Sequence, residues 1–210
     1  SSDLPGGKVR ISMEESSQYL SGLLLAAPLA AKPTAILLGG SKVVSWPYVS
    51  LTLEVMEAFG IKVQVQTFDG SAWSDADFRT LAAAEPGKVR FIVRPKEYAT
   101  REYEVEGDFS NASYLLAAGA IGSRPVKVSG LNPDSLQGDR AILDILDRMG
   151  AQVVIENDGI VVSAGAGLQG VDLDMSPCPD LVPTVGVLAA LAQGGTSISG
   201  VAHLRIKESD

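Results

Sequence analysis

One plan recurs three times along these 210 residues: an extended start, a small polar cap, then a helix rich in Ala and Leu. The first copy runs from residues 9–11 through Ser16-Ser17-Gln18-Tyr19-Leu20 into Leu24-Leu25-Ala26-Ala27. The second runs from residues 103–106 through Ser110-Asn111-Ala112-Ser113-Tyr114 into Leu115-Leu116-Ala117-Ala118. The third runs from residues 171–173 through Pro179-Asp180 into Leu188-Ala189-Ala190-Leu191. Recurrence at roughly 70–90 residues marks a supersecondary unit rather than a solenoid repeat. Helices apolar nearly all round are expected to be buried.

After the first two helices the pattern predicts a strand (34–38, then 126–128) and an amphipathic helix (48–59 before Gly60, then 137–149 before Gly150). Glycine just past a helix end is the usual C-cap. Ile142, Ile145, Leu146 and Met149 fall at helical spacing with Leu143 beside them, so one face points to a core. Two strands close each copy, 63–68 with 89–93 and 153–156 with 160–163, giving a βαβαββ plan and an α/β protein. The third copy offers its first strand, its helix and a second strand at 196–201. The charged run His203-Leu204-Arg205-Ile206-Lys207-Glu208-Ser209-Asp210 follows, where an amphipathic helix is expected next. A stretch rich in Pro, Lys and Arg (94–101) reads as a linker, dividing the chain into 1–101 and 102–210.

Composition narrows the function. An apolar content of 46% argues against disorder, and a net charge of −8 disfavours nonspecific nucleic-acid binding. Local cations can still bind an anionic metabolite. The longest apolar run, residues 20–31, is broken by Ser21, Gly22 and Pro28 and is too short to span a bilayer. The single cysteine, Cys178, excludes an internal disulfide and suits a reducing compartment, so a cytoplasmic protein is expected. Nothing near Cys178 in sequence would lower its pKa, which favours a small buried hydrophobe over a nucleophile. No metal-ligand spacing, P-loop or dinucleotide fingerprint is present, and neither cofactor nor metal is expected.

The polar strings each have two readings. Ser16-Ser17-Gln18 opens a helix, where hydroxyls and free N–H groups suit a phosphate or simply cap the end. Ser45-Trp46-Pro47-Tyr48 opens the next helix, with Pro in its first turn and a further hydroxyl as cap or ligand. Asp180 enters an apolar helix as an N-cap or a general base. Lys207-Glu208 is either a solvated charge run or a cation and acid at a strand end, where α/β sites gather.

Taken together these strings closely resemble the EPSP synthase family (3-phosphoshikimate 1-carboxyvinyltransferases). The set also includes Ala26-Ala27-Pro28-Leu29-Ala30, Val105-Glu106-Gly107-Asp108, Ala112-Ser113-Tyr114, Gln137-Gly138-Asp139 and Arg205-Ile206-Lys207-Glu208-Ser209-Asp210. The resemblance covers essentially the whole chain. It implies two lobes, each an inverse α/β barrel of three βαβαββ units, closing over shikimate 3-phosphate and phosphoenolpyruvate. Residues 1–101 would hold the last unit of one lobe, and 102–210 the first and part of the second unit of the other. By the same resemblance Asp180 is the base holding the reacting hydroxyl and Glu208 the proton donor. Ser16, Ser17 and Ser45 bind the sugar phosphate, Gln18 lies between the substrates, Lys207 contacts shikimate 3-phosphate and Tyr48 lines its pocket.

His203 stands where some members carry an Asn that contacts shikimate 3-phosphate, and Trp46 replaces a Lys. The family's Lys/Ser/Arg substrate motif, its Gly-Asn-Ala-Gly-Thr segment with a phosphoenolpyruvate-binding Arg, and later Asp-His-Arg and Lys elements are not among these residues. A central portion of such an enzyme is therefore expected, inactive by itself, with a complementing chain or self-association through uncovered lobe surfaces. The alternatives are a non-catalytic sugar-phosphate-binding or folding module, and the related transferase acting on UDP-N-acetylglucosamine. The Ser-Ser-Gln and Lys-Glu-Ser-Asp strings disfavour the latter.

Overall fold

A computed structural model describes residues 4–81 and 83–206. The chain divides into two compact units, Ser1–Tyr103 and Glu104–Asp210. Unit 1 runs β1 (Gly7–Met13), α1 (Gln18–Ala26), β2 (Thr34–Val43), α2 (Trp46–Ala58), β3 (Gln64–Phe68), β4 (Trp73–Asp75) and β5 (Val89–Val93). Its sheet has the order β1-β2-β5-β3-β4. β1 and β2 are parallel, as a crossover helix requires, and the remaining pairs are antiparallel.

Alternation decides which face of this sheet is covered. Ile36, Phe91 and Val65 lie in one cross-strand register, all buried, and the Trp46 ring at the start of α2 lies 6.3 Å from that of Phe91. Ala35, Leu37, Arg90 and Gln66 point the other way by the period of two. At its carboxyl end β2 carries extra residues: Ser12 pairs with Gly39 and Met13 with Val43, so residues 40–42 bulge from the ladder.

The stretch read as a linker is tied to unit 1. Lys96 Nζ donates to Gly60 O at 2.8 Å and Arg101 Nη1 to Ala58 O at 2.7 Å, so two cations satisfy carbonyls at the end of α2. Gly60 itself takes φ +85°, the left-handed C-terminal position inferred for it.

Unit 2 contains α3 (Phe109–Ile121), β6 (Val126–Val128), α4 (Ile142–Arg148), β7 (Gln152–Glu156), β8 (Gly159–Ser163), β9 (Asp172–Asp174), α5 (Val182–Leu191) and β10 (Ser197–Ser199). β6-β8-β7 form an antiparallel sheet, while β9 and β10 pair in parallel around α5 just as β1 and β2 do around α1. One core joins Phe109 and Leu116 of α3, Ile142 and Leu146 of α4, Ile160 and Val162 of β8, and Val185 and Leu188 of α5. α3 approaches the sheet closely at Gly119, where a Cβ would lie 2.5 Å from Val162 O.

Three expectations are corrected. Residues 103–106 form no strand: Gly107 N donates to Gly130 O, but β6 pairs only with β8 and offers this segment no ladder. The helix expected at 137–149 opens as a 3₁₀ turn, Gly138–Ala141, before the α-helical part. The Ala/Leu-rich helices are not buried all round. Each covers one face, leaving Tyr19 and Leu25 of α1, Tyr114 and Leu115 of α3, and Val187 and Leu191 of α5 exposed, because each unit's own elements pack one side only.

Candidate functional site

Because β1 and β2 are parallel and joined by α1, their carboxyl ends and the starts of α1 and α2 meet at one edge of unit 1. Ligands of open α/β sheets gather at such edges. Ser16, Ser17 and Gln18 leave β1 there, and Ser45 and Tyr48 leave β2. Val44 N donates to Met13 O at 3.1 Å, and Ser41 N donates to the Glu14 carboxylate at 2.7 Å, clasping the two connections together. The Ser41 hydroxyl bonds the same oxygen, and together these bonds hold the Glu14 carboxyl below its ordinary range.

Of the three serines read as caps, only Ser16 bonds an N–H at the start of its helix. Ser17 is buried and makes no capping bond; Ser16 Oγ instead accepts from Gln18 N at 3.1 Å. Ser45 makes no capping bond either, and its φ of +55° is left-handed, the only such value outside glycine among the described residues. A serine in that region costs about 1–2 kcal/mol. Buried Val44 and Trp46 hold it from both sides, Trp46 through an Nε1 bond to Leu81 O of 2.8 Å. Strain of this kind is concentrated at functional sites. Tyr48, half-buried in the first turn of α2, makes a further interaction there, and its carbonyl accepts from Thr52.

In unit 2 Asp180 lies in a 3₁₀ turn, Pro179–Leu181, that leads into α5. Cys178 is 3% exposed and feels the charges of Asp139, Asp174 and Asp180. Burial first, then these three carboxylates, push its thiol up to about 12, so Cys178 is an inert core residue. His203 is buried in the 3₁₀ stretch Ala202–Ile206 and is partnered. Lys207 and Glu208 lie outside the described residues.

The Glu106-Gly107-Asp108 and Gln137 strings have structural work. Gln137 Oε1 accepts from Phe109 N at 2.9 Å and its Nε2 donates to Glu106 and to Gly107 O, while Asp108 caps α3 through Ser110 N. Sequence reasoning missed the Glu14–Ser41 clasp. Its signals were an acidic pair directly before Ser16 and the Gly39-Gly40-Ser41 run, 27 positions apart and unconnected until the strands pair.

Comparison with known proteins places the whole. The EPSP synthase (3-phosphoshikimate 1-carboxyvinyltransferase) family profile matches residues 1–73 and 81–210, and the chain belongs to that family. A 3-phosphoshikimate 1-carboxyvinyltransferase from Methanobrevibacter smithii is 40% identical over 205 residues, 98% of this chain and 45% of the relative. One from Syntrophobacter fumaroxidans is 43% identical over 215 residues, 99% of this chain and 44% of the relative. The solved EPSP synthase of Acinetobacter baumannii superposes with a TM-score of 0.68 at 23% identity, covering 99% of this chain and 43% of that one, which establishes the shared α/β fold. The chain thus spans under half the length of the curated relatives it matches.

Proposed function

We propose that this chain contributes the sugar-phosphate half-site and the acid–base pair of an enolpyruvyl transfer from phosphoenolpyruvate to the 5-hydroxyl of shikimate 3-phosphate. Asp180 takes the proton of that hydroxyl as its oxygen attacks C2 of phosphoenolpyruvate, and Glu208 delivers a proton to C3. The tetrahedral adduct then loses phosphate as a C3 proton leaves, restoring the double bond. Ser16, Ser17 and Ser45 hold the sugar phosphate at the starts of two helices, where backbone N–H groups and the helix dipole favour an anion. Tyr48 lines that pocket, Gln18 lies between the substrates, and Lys207 contacts the sugar phosphate.

The observation that carries this reading is the family match along the chain. The free capping capacity of Ser17 and Ser45 at one sheet edge is consistent with it. Since the chain spans under half of its relatives, turnover requires the portions that it does not cover, and clamping of the second substrate is a large share of a two-substrate rate. The reaction belongs to aromatic biosynthesis in the cytoplasm.

Calorimetry with shikimate 3-phosphate tests the half-site. Saturable binding is expected, weakened at least tenfold in the Ser16→Ala, Ser17→Ala double variant. An absence of heat at millimolar ligand would remove the half-site.

A further inference from the structure

The face of the unit 1 sheet opposite Ile36 and Phe91 holds a cleft of about 470 Å³, lined by Lys8, Arg10, Ala35, Leu37, Trp73 and Arg90. Register places Arg10, Leu37, Arg90, Gln66 and Asp75 in a single cross-strand row. Adjacent strands are about 5 Å apart, so the Arg10 and Arg90 backbones stand about 10 Å apart with Leu37 between them.

Arg90 is fixed in place. Its Nε donates to Gln66 Oε1 at 2.8 Å, Gln66 Nε2 donates to Asp75 Oδ1 at 2.8 Å, and its guanidinium carbon lies 4.2 Å from the Trp73 ring centroid. No described residue accepts from its Nη groups. Arg10 leans over β2 into space that Gly39 leaves open; a Cβ there would lie 2.5 Å from Arg10 Nε. Neither Lys8 nor Arg10 has an ion-pair partner among the described residues. Asp75, the acid of this row, is turned to Gln64 and Gln66, whose bonds hold its carboxyl below its usual range.

Three cations with no carboxylate in their cleft, on a chain of net charge −8, run against the background charge and are poised to receive an anion. We infer that this cleft binds a small organic dianion, with one acidic group against Arg90, the other against Arg10 and Lys8, and a short apolar span over Leu37 and Ala35. Guanidinium forks recognise carboxylate and phosphate alike, so the chemistry is that of an α,ω-diacid. The site is separate from the helix starts that carry Ser17 and Ser45.

Titration with adipate, followed by Trp73 emission and by calorimetry, tests the assignment. Saturable binding is expected, at least tenfold tighter than that of the mono-acid hexanoate. Arg10→Gln and Arg90→Gln should each weaken it tenfold or more while leaving shikimate 3-phosphate binding unchanged. Arg10 is exposed on the sheet face, so its variant keeps the test decisive should Arg90→Gln disturb the Gln66 and Trp73 contacts. Equal affinity for adipate and hexanoate, an unaltered Arg10→Gln titration, or no saturable signal would overturn the assignment.

Discussion

The hydroxyls of Ser21 and Thr52 lie 2.9 Å apart, joining the first turns of α1 to the body of α2. Thr52 Oγ1 also donates to Tyr48 O at 2.8 Å, and Ser21 N donates to Ser17 O at 3.0 Å. The two helix starts proposed to hold the sugar phosphate are therefore coupled through one part-buried pair. Ser21→Ala and Thr52→Val should each cost about 1 kcal/mol in urea unfolding, with the double variant less destabilised than the sum. Strict additivity would show that the pair does not couple the helices.

Gly119 lets α3 close on its sheet. Gly119→Ala would set a methyl 2.5 Å from Val162 O and 3.2 Å from Val126 Cβ, and neither neighbour is a flexible chain end. A loss of about 1–3 kcal/mol is expected from chemical denaturation. An unchanged midpoint would mean that the helix can shift without cost.

Cys178 gives a pH signature. Its folded-state pKa of about 12 lies above its ordinary value of 9.0, so the folded state favours the thiol. That contribution is fully present below the unfolded pKa and declines as pH rises from there toward 12. The native chain should lose stability more steeply than Cys178→Ala above pH 9.0, and its thiol should react with a disulfide reagent only on unfolding. Parallel pH profiles, or rapid native labelling, would contradict this.

Exposed apolar faces on α1, α3 and α5 carry a prediction about association. Leu25 is 45%, Leu115 55% and Leu191 58% exposed, which is unusual for side chains of this size on helices so apolar. Sedimentation velocity should show concentration-dependent self-association, reduced by Leu115→Lys or Leu191→Lys. A monodisperse monomer at all concentrations would count against it.

Much of the fold was legible in the sequence because it is local. Gly60 and Gly150 ended the helices as expected, and the two strands expected to close each copy are present as β3 and β5, then β7 and β8. β4 was missed although Asp69-Gly70 is a hairpin signal. Its strand, Trp73–Asp75, is too short and polar to alternate, and Asp69 organises the turn by accepting from Ser71 N and Ala72 N, which push its carboxyl down to about 2. The exposed faces of the Ala/Leu-rich helices were missed for a different reason. Composition reports that a helix is apolar all round, but not which sides its neighbours cover.

At the site, serines and their order along the chain were visible, and their conformations were not. The left-handed φ of Ser45 depends on how Val44 and Trp46 are buried, and the Glu14–Ser41 clasp depends on the β1–β2 register. Both arise from contacts distant in sequence, which no local pattern encodes.

Phosphate release from phosphoenolpyruvate in the presence of shikimate 3-phosphate tests the central claim most directly. It would be measured for the chain alone and after adding a polypeptide covering the parts of its relatives that it does not span. Negligible release alone, turnover on complementation, and loss of that turnover with Asp180→Asn or Glu208→Gln are the expected results. Robust release from the chain alone, or full complemented turnover with both carboxyl groups replaced, would contradict the account.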